Sequence, residues 1–433
     1  MKHLYIHIPF CHRRCSYCDF NTYANMDDRI EAYVAALCAE LGARGAGSGI
    51  SRDLPVGTLN PEPQTLLRSS LLPTIFFGGG TPTMLSLEQM ARVLQAASAI
   101  VPLAGAEITV EANPGTVLGG DYLRGLRALG VNRISMGVQS IHDPTLRMLG
   151  RIHTAAEARQ SFEDARRAEF ERINLDFIFG LPGQSVTQWI ETLDEIVTWG
   201  ADHFSLYSLI LEAGTPLHAQ VTGGRLSIPD DDITGEMYEL AMDRFAAAGY
   251  TQYEISNWAN DAKFKVQSPE FKMKESIMLA DSNAAQRNNS ELRTQNSELP
   301  LQACHHNLAY WLNADYMAAG AGAHGHVFPR RYADVLTIDD YITTVRAGQL
   351  PTAEVTDLTA QDLYAETMFM GLRLNIGVSY AHFRDRCGAE MLAVFGAEID
   401  GLVARGLLAR DRSGVRLTER GRMLGNQVFA TFV

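Results

Sequence analysis

The sequence predicts an α/β protein, with an open three-quarter (βα)6 barrel followed by a C-terminal α+β domain that resembles a winged helix. Three observations predict this fold. Short apolar strands alternate with helical patterns through the first half of the chain. Glycines or polar residues follow several of these strands. After residue 351 the pattern changes to helices followed by a hairpin.

Six parallel strands are expected, and each is followed by a helical pattern. A closed barrel would need eight such units, so an open barrel is favoured, and a doubly wound sheet is the alternative. The strands are expected at residues 4–8, 74–77, 108–111, 133–137, 173–177 and 204–209. Capping boxes predict three helix starts, at Ser86 with Gln89, Thr154 with Glu157, and Ser185 with Gln188.

The expected barrel occupies residues 1–250 and contains an insertion at 45–72, which is rich in Gly, Ser, Pro and Leu. A connecting region follows at 251–350 and contains a second, polar insertion at 260–302. The C-terminal domain takes up 351–433. Neither insertion shows a helical or strand period, so both are expected to be loops.

The C-terminal domain is expected to begin with helices at 360–374 and 391–405. A strand–turn–strand follows around Ser413 and Gly414, and a last helix is expected at 422–432. This order is typical of a winged helix, a fold that often binds DNA. Because acidic residues alternate with arginines in the hairpin, a packing role is an equal alternative.

The charge and composition of the chain argue against two protein classes. Its 433 residues carry a formal net charge of −13 with a pI near 5.4, whereas nucleic-acid binders typically present a basic stripe. No apolar run approaches the roughly 18 residues that a membrane-spanning helix needs, and the N-terminus lacks a signal-peptide pattern. We therefore expect a cytoplasmic protein without a nucleic-acid partner; peripheral contact with a membrane is left open.

Three of the six cysteines form the pattern Cys11-x3-Cys15-x2-Cys18 directly after the first strand. A disulfide framework is unusual in a large chain without a secretion signal. Thiolates bind iron–sulfur clusters, and three in one loop can hold three irons of a cubane while the fourth iron stays open. Zinc and three unrelated thiols are the alternatives, but zinc takes four ligands, and His12 is too close in sequence to complete a tetrahedron easily. The spacing therefore favours a [4Fe–4S] cluster as the metal centre.

Glycines and polar residues follow the later strands. In parallel α/β folds, ligands bind at the carboxyl ends of the strands. Each residue alone has a structural explanation, but together they suggest a zwitterionic ligand with a ribose, in which a carboxylate binds hydroxyls or an amine and an arginine binds a carboxylate. The residues are Gly78, Gly79, Gly80, Thr81 and Pro82 after the second strand, then Glu111, Gln139, Arg151 and Asp176.

These motifs resemble the radical S-adenosylmethionine (SAM) superfamily, and within it the branch of the oxygen-independent coproporphyrinogen III oxidases (HemN) and the heme chaperones (HemW). The resemblance covers most of the chain outside the two insertions. It implies a barrel of radical SAM type whose open iron binds S-adenosyl-L-methionine. In this family one electron from the cluster cleaves a carbon–sulfur bond of that cofactor and yields a 5′-deoxyadenosyl radical. The matching stretches are LYIHIPFC, FFGGGTPT, ITVEANP, ISMGVQS, NLDFIFGLPGQS and YEISNWA.

The resemblance also implies roles for single residues. Cys11, Cys15 and Cys18 would bind the cluster. In some relatives several nucleotide-site positions contact a second cofactor molecule, and whether one binds here is left open. The cluster-bound cofactor would contact Tyr5, Gly79 and Glu111, and the remaining nucleotide-site positions are matched by Gly80, Thr81, Gln139, Arg151 and Asp176.

One departure separates the two sub-branches. The oxidases resemble CxxxCxxCxC, with another cysteine two residues after the third, whereas this chain has Phe20 at that position. The CDF triplet resembles the chaperone branch instead. Oxidase activity is therefore not expected.

A second feature agrees with the chaperone branch. The HNxxYW motif, associated there with heme, is matched by His306, Asn307, Tyr310 and Trp311. Imidazole is a common ligand of heme iron, and aromatic rings can stack on a porphyrin. A packed histidine-rich loop is the alternative explanation. Four further possible iron ligands lie nearby in sequence, namely Cys304, His305, His324 and His326.

The sequence thus predicts a heme chaperone that binds heme and passes it to an acceptor hemoprotein, with a [4Fe–4S] cluster and S-adenosyl-L-methionine as further cofactors; a membrane-associated acceptor is left open. The alternative is a radical SAM enzyme of the coproporphyrinogen III oxidase type, an oxidative decarboxylase. A DNA-binding regulator that uses the winged helix is a third hypothesis, which the acidic charge disfavours.

Overall fold

The computed structural model describes residues 1–47, 71–115, 119–260, 299–300 and 302–433. The expected insertions at 45–72 and 260–302 lie almost entirely outside the described residues. The described strands are β1 (His3–Ile8), β2 (Phe10–Cys11), β3 (Tyr23–Ala24), β4 (Thr74–Gly79), β5 (Glu107–Ala112), β6 (Arg133–Gln139), β7 (Arg172–Phe179), β8 (His203–Ser208), β9 (Tyr250–Glu254), β10 (Asn257–Asn260), β11 (Met317–Ala319), β12 (His324–Val327), β13 (Arg330–Asp334), β14 (Thr352–Asp357), β15 (Val378–Ser379), β16 (Leu408–Arg410) and β17 (Gly414–Leu417).

The described α-helices join these strands, and two short 3-10 turns, Asp27–Arg29 and Pro82–Met84, precede further elements. The helices are α1 (Ile30–Gly45), α2 (Leu87–Ala97), α3 (Gly120–Ala128), α4 (Asp143–Met148), α5 (Ala155–Arg167), α6 (Val186–Thr198), α7 (Pro216–Thr222), α8 (Asp231–Ala247), α9 (His305–Trp311), α10 (Ile338–Arg346), α11 (Ala360–Gly371), α12 (Tyr380–Cys387), α13 (Met391–Ala404), α14 (Glu419–Met423) and α15 (Gly425–Phe429). None of these described helices combines the length and the apolar character that crossing a bilayer requires.

The main sheet contains nine described strands in the order β11-β1-β4-β5-β6-β7-β8-β10-β9. From β1 to β8 its six parallel strands follow one another in chain order. A doubly wound sheet would reverse direction at a switch point, so the arrangement is the expected open (βα)6 barrel. Among the described strands, β11 and β9 stand at the two edges, which leaves the barrel open.

The helices pack on the outside of this sheet, and a single apolar cluster joins both layers. Its members include Phe77 on β4, Leu175 on β7 and Trp189 on α6, all fully buried. All three predicted capping boxes are present, at the starts of α2, α5 and α6. In each, the hydroxyl accepts the N3 backbone N–H and the N3 side chain accepts the cap's own N–H.

Three strands of the main sheet are not among the six expected ones. Strands β9 and β10 form an antiparallel hairpin beside β8, and β11 pairs in parallel with β1. These elements are short, and the Met-Ala-Ala sequence of β11 contains neither β-branched nor aromatic residues. Their position in the sheet is decided by tertiary packing.

The C-terminal domain has its own apolar core, with Phe383 and Phe395 near its centre. Its helices and the β15-β17-β16 sheet match the expected winged-helix order. The expected last helix at 422–432 is wrong in detail: the chain is already helical at Glu419 and breaks at Leu424, where φ is −110° and ψ is 26°. Glycines at 421 and 425 weaken a continuous helix there.

Candidate functional site

The site residues predicted from the strand ends gather at the carboxyl end of the barrel. The sheet register aligns Gly79 with Ile8, at the start of the cysteine loop. It also aligns Gly137 with Asp176 on the neighbouring strands β6 and β7. Parallel strands therefore bring the glycine run, Glu111, Gln139 and Asp176 to the same end of the sheet as the three cysteines.

The cysteine loop is closed by a two-residue parallel pairing of β2 with β3. Within the loop, the Cys18 N–H donates to the Cys15 carbonyl at 3.3 Å. The Ser16 N–H donates to the Leu149 carbonyl at 2.9 Å, and the Ser16 carbonyl accepts from the Leu217 N–H at 2.8 Å. The loop is thus fixed by its own backbone and by two later segments of the barrel.

All three thiols of this loop are free and half-buried. In the described part of the chain, no three His, Cys, Asp or Glu side chains are arranged to hold one metal ion. A cubane binds each thiolate at a different corner, so three thiols in one loop are a donor set that fits an iron–sulfur cluster.

A hydrogen-bonded chain links two of the thiols across the barrel mouth. The Thr81 hydroxyl donates to Cys11 Sγ at 3.6 Å and accepts from Asn113 Nδ2 at 2.7 Å. Arg151 donates to Asn113 Oδ1 at 2.6 Å and to Cys15 Sγ at 3.4 Å. Asn113 was not among the predicted site residues; its signal was its place in the EANP stretch, two residues after Glu111.

Two members of this hydrogen-bonded chain oppose the effect of burial on the Cys11 thiol. Burial raises the pKa of Cys11 to about 11, and the Thr81 hydrogen bond and the Arg151 charge act in the opposite direction. A thiolate is the form that binds metal. Donors aimed at sulfur are therefore what a cluster-binding loop needs before its metal is bound.

The glycine run allows the end of β4 to approach the cysteine loop. Gly79 has φ of +106°, and a Cβ there would lie 2.5 Å from the His7 ring. A Cβ on Gly80 would lie 2.5 Å from the Phe10 carbonyl oxygen. The backbone of this run is used as well, since the Gly79 N–H donates to Glu111 at 3.1 Å. Only glycine meets both requirements at position 79.

Tyr5 and His7 connect the interior of β1 to the end of the cysteine loop. His7 Nε2 donates to the Asn21 carbonyl at 2.9 Å, so its Nδ1 accepts from the Tyr5 hydroxyl at 3.0 Å. Burial lowers the pKa of His7, which keeps the ring neutral. His7 was missed in the sequence because its imidazole lies within an apolar strand with no motif of its own.

Two carboxyl groups lie close together in the barrel. Burial, and next the charge of Asp176, raise the pKa of Glu111 to about 8. Burial also raises the pKa of Asp176, against hydrogen bonds from Asn174 and Ser135. A cationic or hydroxyl-bearing ligand would favour the ionised form of Glu111.

Gln139 adopts a backbone conformation that is uncommon for its residue type. Its φ is +68°, and the β6–β7 register shifts between Gly137 and Gln139. The Gln139 amide nitrogen lies only 2.8 Å from the position of a Cβ on Gly137. Such strain persists where the surrounding structure enforces it, and it is concentrated at ligand sites.

The HNxxYW motif lies at the opposite end of the barrel, on helix α9. His306 is buried, and its two ring nitrogens are hydrogen-bonded to Thr74 at 2.7 Å and to Tyr310 at 3.0 Å. Its ring stacks on Phe76 at 5.0 Å. Burial lowers the pKa of His306 to about 3. In this conformation His306 therefore has no free ring nitrogen for iron.

The buried carboxylate of Glu107 holds the start of α9. It accepts the backbone N–H groups of His305 and His306 at 3.2 and 3.1 Å, and the Cys304 thiol donates to it at 3.6 Å. Asn307, Tyr310 and Trp311 are half-buried on the same helix, and Arg373 lies over the Trp311 ring at 4.5 Å. The motif thus closes the amino end of the barrel.

The other possible iron ligands differ in their accessibility. His305 is half-buried, and its Nδ1 accepts the Leu72 N–H at 3.3 Å. His326 is buried on β12, whereas His324 at the start of the same strand is exposed. Because Gly320 and Gly322, just before it, pack against His7 and Asn21, His324 lies at the cysteine end of the barrel. The structure thus separates ligands that are near one another in sequence.

Family comparisons agree with this architecture. The Radical SAM superfamily matches residues 5–196, and the HemN C-terminal domain matches residues 358–424. Among solved structures, the Escherichia coli coproporphyrinogen III oxidase HemN, described as a radical SAM enzyme, superposes with a TM-score of 0.73. The match covers 99% of this chain and 89% of that one at 21% identity, so it supports the fold alone.

Sequence relatives match over the full length. The heme chaperone HemW of Bacillus subtilis is 34% identical over 100% of this chain and 99% of the relative. The mouse radical S-adenosyl methionine domain-containing protein 1, mitochondrial, is also 34% identical, over 99% of this chain and 87% of its own length. The HemW of Lactococcus lactis is 31% identical over 99% of this chain.

Proposed function

The chain belongs to the HemN/HemW branch of the radical SAM superfamily and is similar to its heme chaperones over the full length, and from this premise we propose that it binds heme and transfers it to an acceptor hemoprotein. The proposal includes a [4Fe–4S] cluster with exchangeable S-adenosyl-L-methionine. The observation that carries it is the cysteine loop itself. Two of its three thiols, Cys11 and Cys15, accept hydrogen bonds from the Thr81–Asn113–Arg151 chain, while Phe20, 69% exposed, stands where the oxidases have a further cysteine.

Each part of the carboxyl end has a role in this proposal. Cys11, Cys15 and Cys18 would hold the cluster, and Tyr5, Gly79 and Glu111 would contact the bound cofactor. When bound, these groups supply one-electron chemistry. The remaining contacts would come from Gly80, Thr81, Gln139, Arg151 and Asp176.

The protein's own contribution at this site is orientation. The Thr81 hydroxyl donates to Cys11 Sγ and Arg151 donates to Cys15 Sγ, which orients these two sulfurs. Because Gly79 and Gly80 have no side chains, the end of β4 can pack closely against His7 and Phe10, which directly precede the cysteine loop. Glu111 accepts a hydrogen bond from the Gly79 N–H and is positioned to accept another from a ligand.

Heme binding is proposed for the connecting region. His306, Asn307, Tyr310 and Trp311 remain the residues that the family motif predicts. Because His306 is buried with both nitrogens bonded, its use as an iron ligand would require α9 to move away from Thr74 and Phe76. His324, exposed at the cysteine end, needs no such movement and is the competing ligand.

Three broader predictions belong to the same proposal. The division at residues 250 and 350 into barrel, connecting region and C-terminal domain is supported by the separate core of the last part. The proposed location is the cytoplasm. We propose no nucleic-acid partner.

Titration with hemin tests the function. The full chain should show saturable binding with a Soret band, and loaded protein should restore activity to a heme-depleted acceptor. Absence of saturable binding would contradict the chaperone proposal. Formation of protoporphyrinogen from coproporphyrinogen III by the reduced, reconstituted protein would favour the enzyme alternative, to which the retained cofactor-site residues point.

A panel of single variants tests the assignment of the iron ligand. If the motif histidine binds iron, His306→Ala should shift or abolish the Soret band while His324→Ala leaves it unchanged. The reverse pattern would assign iron binding to His324. Thermal melts of the apo variants serve as the control, since loss of the Thr74 and Tyr310 hydrogen bonds alone destabilises the barrel.

A further inference from the structure

A cavity of about 240 Å³ lies at the amino end of the barrel, the end opposite the cysteine loop. Residues just before or at the start of strands β4 to β7 form its wall, together with the end of helix α3. Its charged lining residues are Glu107, Arg127, Glu171 and Arg172. Pockets that enclose a whole small molecule usually measure roughly 300–1,000 Å³. This cavity is therefore suited to one polar arm of a ligand and not to an entire porphyrin.

The cavity shares part of its wall with helix α9, which carries the HNxxYW motif. Glu107 lines the cavity and accepts the His305 and His306 N–H groups at 3.2 and 3.1 Å. Leu72 lines it as well, and its N–H donates to His305 Nδ1 at 3.3 Å. A ligand that enters this cavity would thus lie next to the first turn of α9.

The negative charge of Glu107 is compensated inside the fold. The buried Arg133 guanidinium interacts with it electrostatically from within the barrel. Besides the two N–H groups of α9, the Cys304 thiol donates to it at 3.6 Å. A buried carboxylate is satisfied when donors and an opposite charge surround it. Because this compensation comes from inside the fold, Glu107 does not exclude an anionic ligand from the cavity.

The two arginines of the cavity keep hydrogen-bond donors for a ligand. Arg172 contacts Glu107 through Nη1 at 3.4 Å, and its side chain is 29% exposed. Arg127 donates from Nη1 to the Val131 carbonyl at 3.0 Å, and no carboxylate of the described residues pairs with it. A guanidinium has five N–H donors, and its planar fork matches a carboxylate. Both arginines can therefore bind one carboxylate at the cavity.

We propose that Arg127 and Arg172 bind a propionate carboxylate of heme at this cavity. The inference rests on the proposed function, because heme is the ligand. Heme carries its propionates on one edge of an otherwise apolar ring, so a small polar cavity can hold that edge while the ring lies outside it, beside α9. This location brings the porphyrin to the end of the barrel where His305 and His306 lie, and away from His324 at the cysteine end.

Free anions present the same chemistry to the two arginines. Succinate carries carboxylates without a porphyrin, and inorganic phosphate is another small anion that a guanidinium fork binds. The dimethyl ester of hemin is the converse probe, because it keeps the iron and the ring but has no carboxylate. Comparing these ligands separates a propionate site from a site for free anions.

Binding of hemin and of its dimethyl ester to the full chain is the first measurement, followed by the Soret band in one detergent buffer. Arg127→Gln and, separately, Arg172→Gln should each weaken hemin binding about tenfold and leave the affinity for the ester unchanged. Arg124→Gln is the matched control: Arg124 lies on the same helix as Arg127, is 60% exposed and pairs with Asp121, so hemin affinity should not change. Thermal melts of the apo variants show whether each one is folded. Arg127→Gln keeps the test informative if loss of the Glu107 contact unfolds the Arg172 variant.

Competition is the second measurement. Succinate and inorganic phosphate are added to the wild-type chain during the hemin titration, and an excess of either should weaken hemin binding but not ester binding. Equal hemin affinity in the wild type and both arginine variants would overturn the proposal. So would an equal loss of hemin and ester affinity in the variants, or arginine-dependent binding of succinate or phosphate that leaves hemin binding unchanged. If the wild type binds neither hemin nor the ester, the proposed function itself fails.

Discussion

Asn113 is the residue on which the two sulfur-directed hydrogen bonds depend. It donates to Thr81 and accepts from Arg151, and these two residues donate to Cys11 and Cys15. Asn113→Asp should turn the Thr81 hydroxyl toward the new carboxylate and away from Cys11. We expect less iron and sulfide per chain after reconstitution, measured by chemical analysis and cluster absorbance.

A second substitution at the same position separates stability from cluster binding. Asn113→Ala leaves both partners short of a hydrogen bond and should lower the free energy of unfolding of the apo protein by about 1–3 kcal/mol. If Asn113→Asp retained full iron content while Asn113→Ala lost stability only, the chain of hydrogen bonds would be structural and not a support for the cluster.

Glu111 should make the stability of the apo protein depend on pH. Its pKa is about 8 in the folded chain against 4.5 as the ordinary value, so between these values the folded protein binds more protons than the unfolded one. Stability should therefore fall as pH rises from about 4.5 to 8. Denaturant unfolding of wild type and Glu111→Gln across this range measures the effect, and the variant should show a flatter profile. Parallel profiles would show that Glu111 does not titrate in this window.

At this scale the sequence predicts the chemistry better than the contacts. The sequence alone identifies residue types that bind ligands and the positions where parallel strands end. These two signals are sufficient to select Cys11, Cys15, Cys18 and the strand-end residues. Asn113 and His7 could not, since their roles depend on partners on other strands. For His306 the motif predicts iron binding, but in this conformation both of its ring nitrogens are already hydrogen-bonded.

The end of β4 is an element whose glycine content can be tested. Gly79→Ala should destabilise the protein for two reasons. The positive φ costs a non-glycine residue about 1–2 kcal/mol. The added methyl group also overlaps the His7 ring, and overpacking of this kind costs about 1–3 kcal/mol. Gly183 is a matched control, with φ of +71° and no atom within 4 Å of an added Cβ. Urea unfolding should show a clearly larger loss for Gly79→Ala than for Gly183→Ala. Equal losses would mean that the close approach to His7 is not required.

At the scale of elements, local signals succeed and packing-dependent ones fail. The capping boxes at Ser86, Thr154 and Ser185 are read correctly because their hydrogen bonds span only three residues. Strands β9 and β11 at the sheet edges, and β10 beside β9, are missed because a few residues become a strand only when a neighbouring strand offers its backbone. The last helix is misplaced because Gly421 and Gly425 weaken the helix on both sides of Leu424, where the chain breaks into two short helices.

The whole molecule is held together by a buried ion network that no short stretch of sequence reveals. Arg44 on α1 donates to Glu40 at 2.7 Å and to Asp334 on β13 at 2.7 Å, and all three side chains are almost fully buried. The Glu40–Arg44 spacing alone suggests an ordinary surface pair on a helix. The contact with Asp334, 290 residues away in sequence, joins the first βα unit to the β12–β14 sheet.

Removing one partner of this network should be far more costly than removing a surface pair. Asp334→Ala leaves Arg44 buried with an incompletely compensated charge, and breaking a buried pair in this way costs about 3–5 kcal/mol. Asp357→Ala is the matched control on the neighbouring strand: it removes the Arg330–Asp357 pair, whose side chains are 45% and 76% exposed, and should cost no more than about 1 kcal/mol. Urea unfolding of the apo chain, followed by circular dichroism, measures both. Similar losses for the two variants would show that the Glu40 carboxylate alone satisfies Arg44. The coupling between α1 and the β12–β14 sheet would then have to come from apolar packing of α10 against α1.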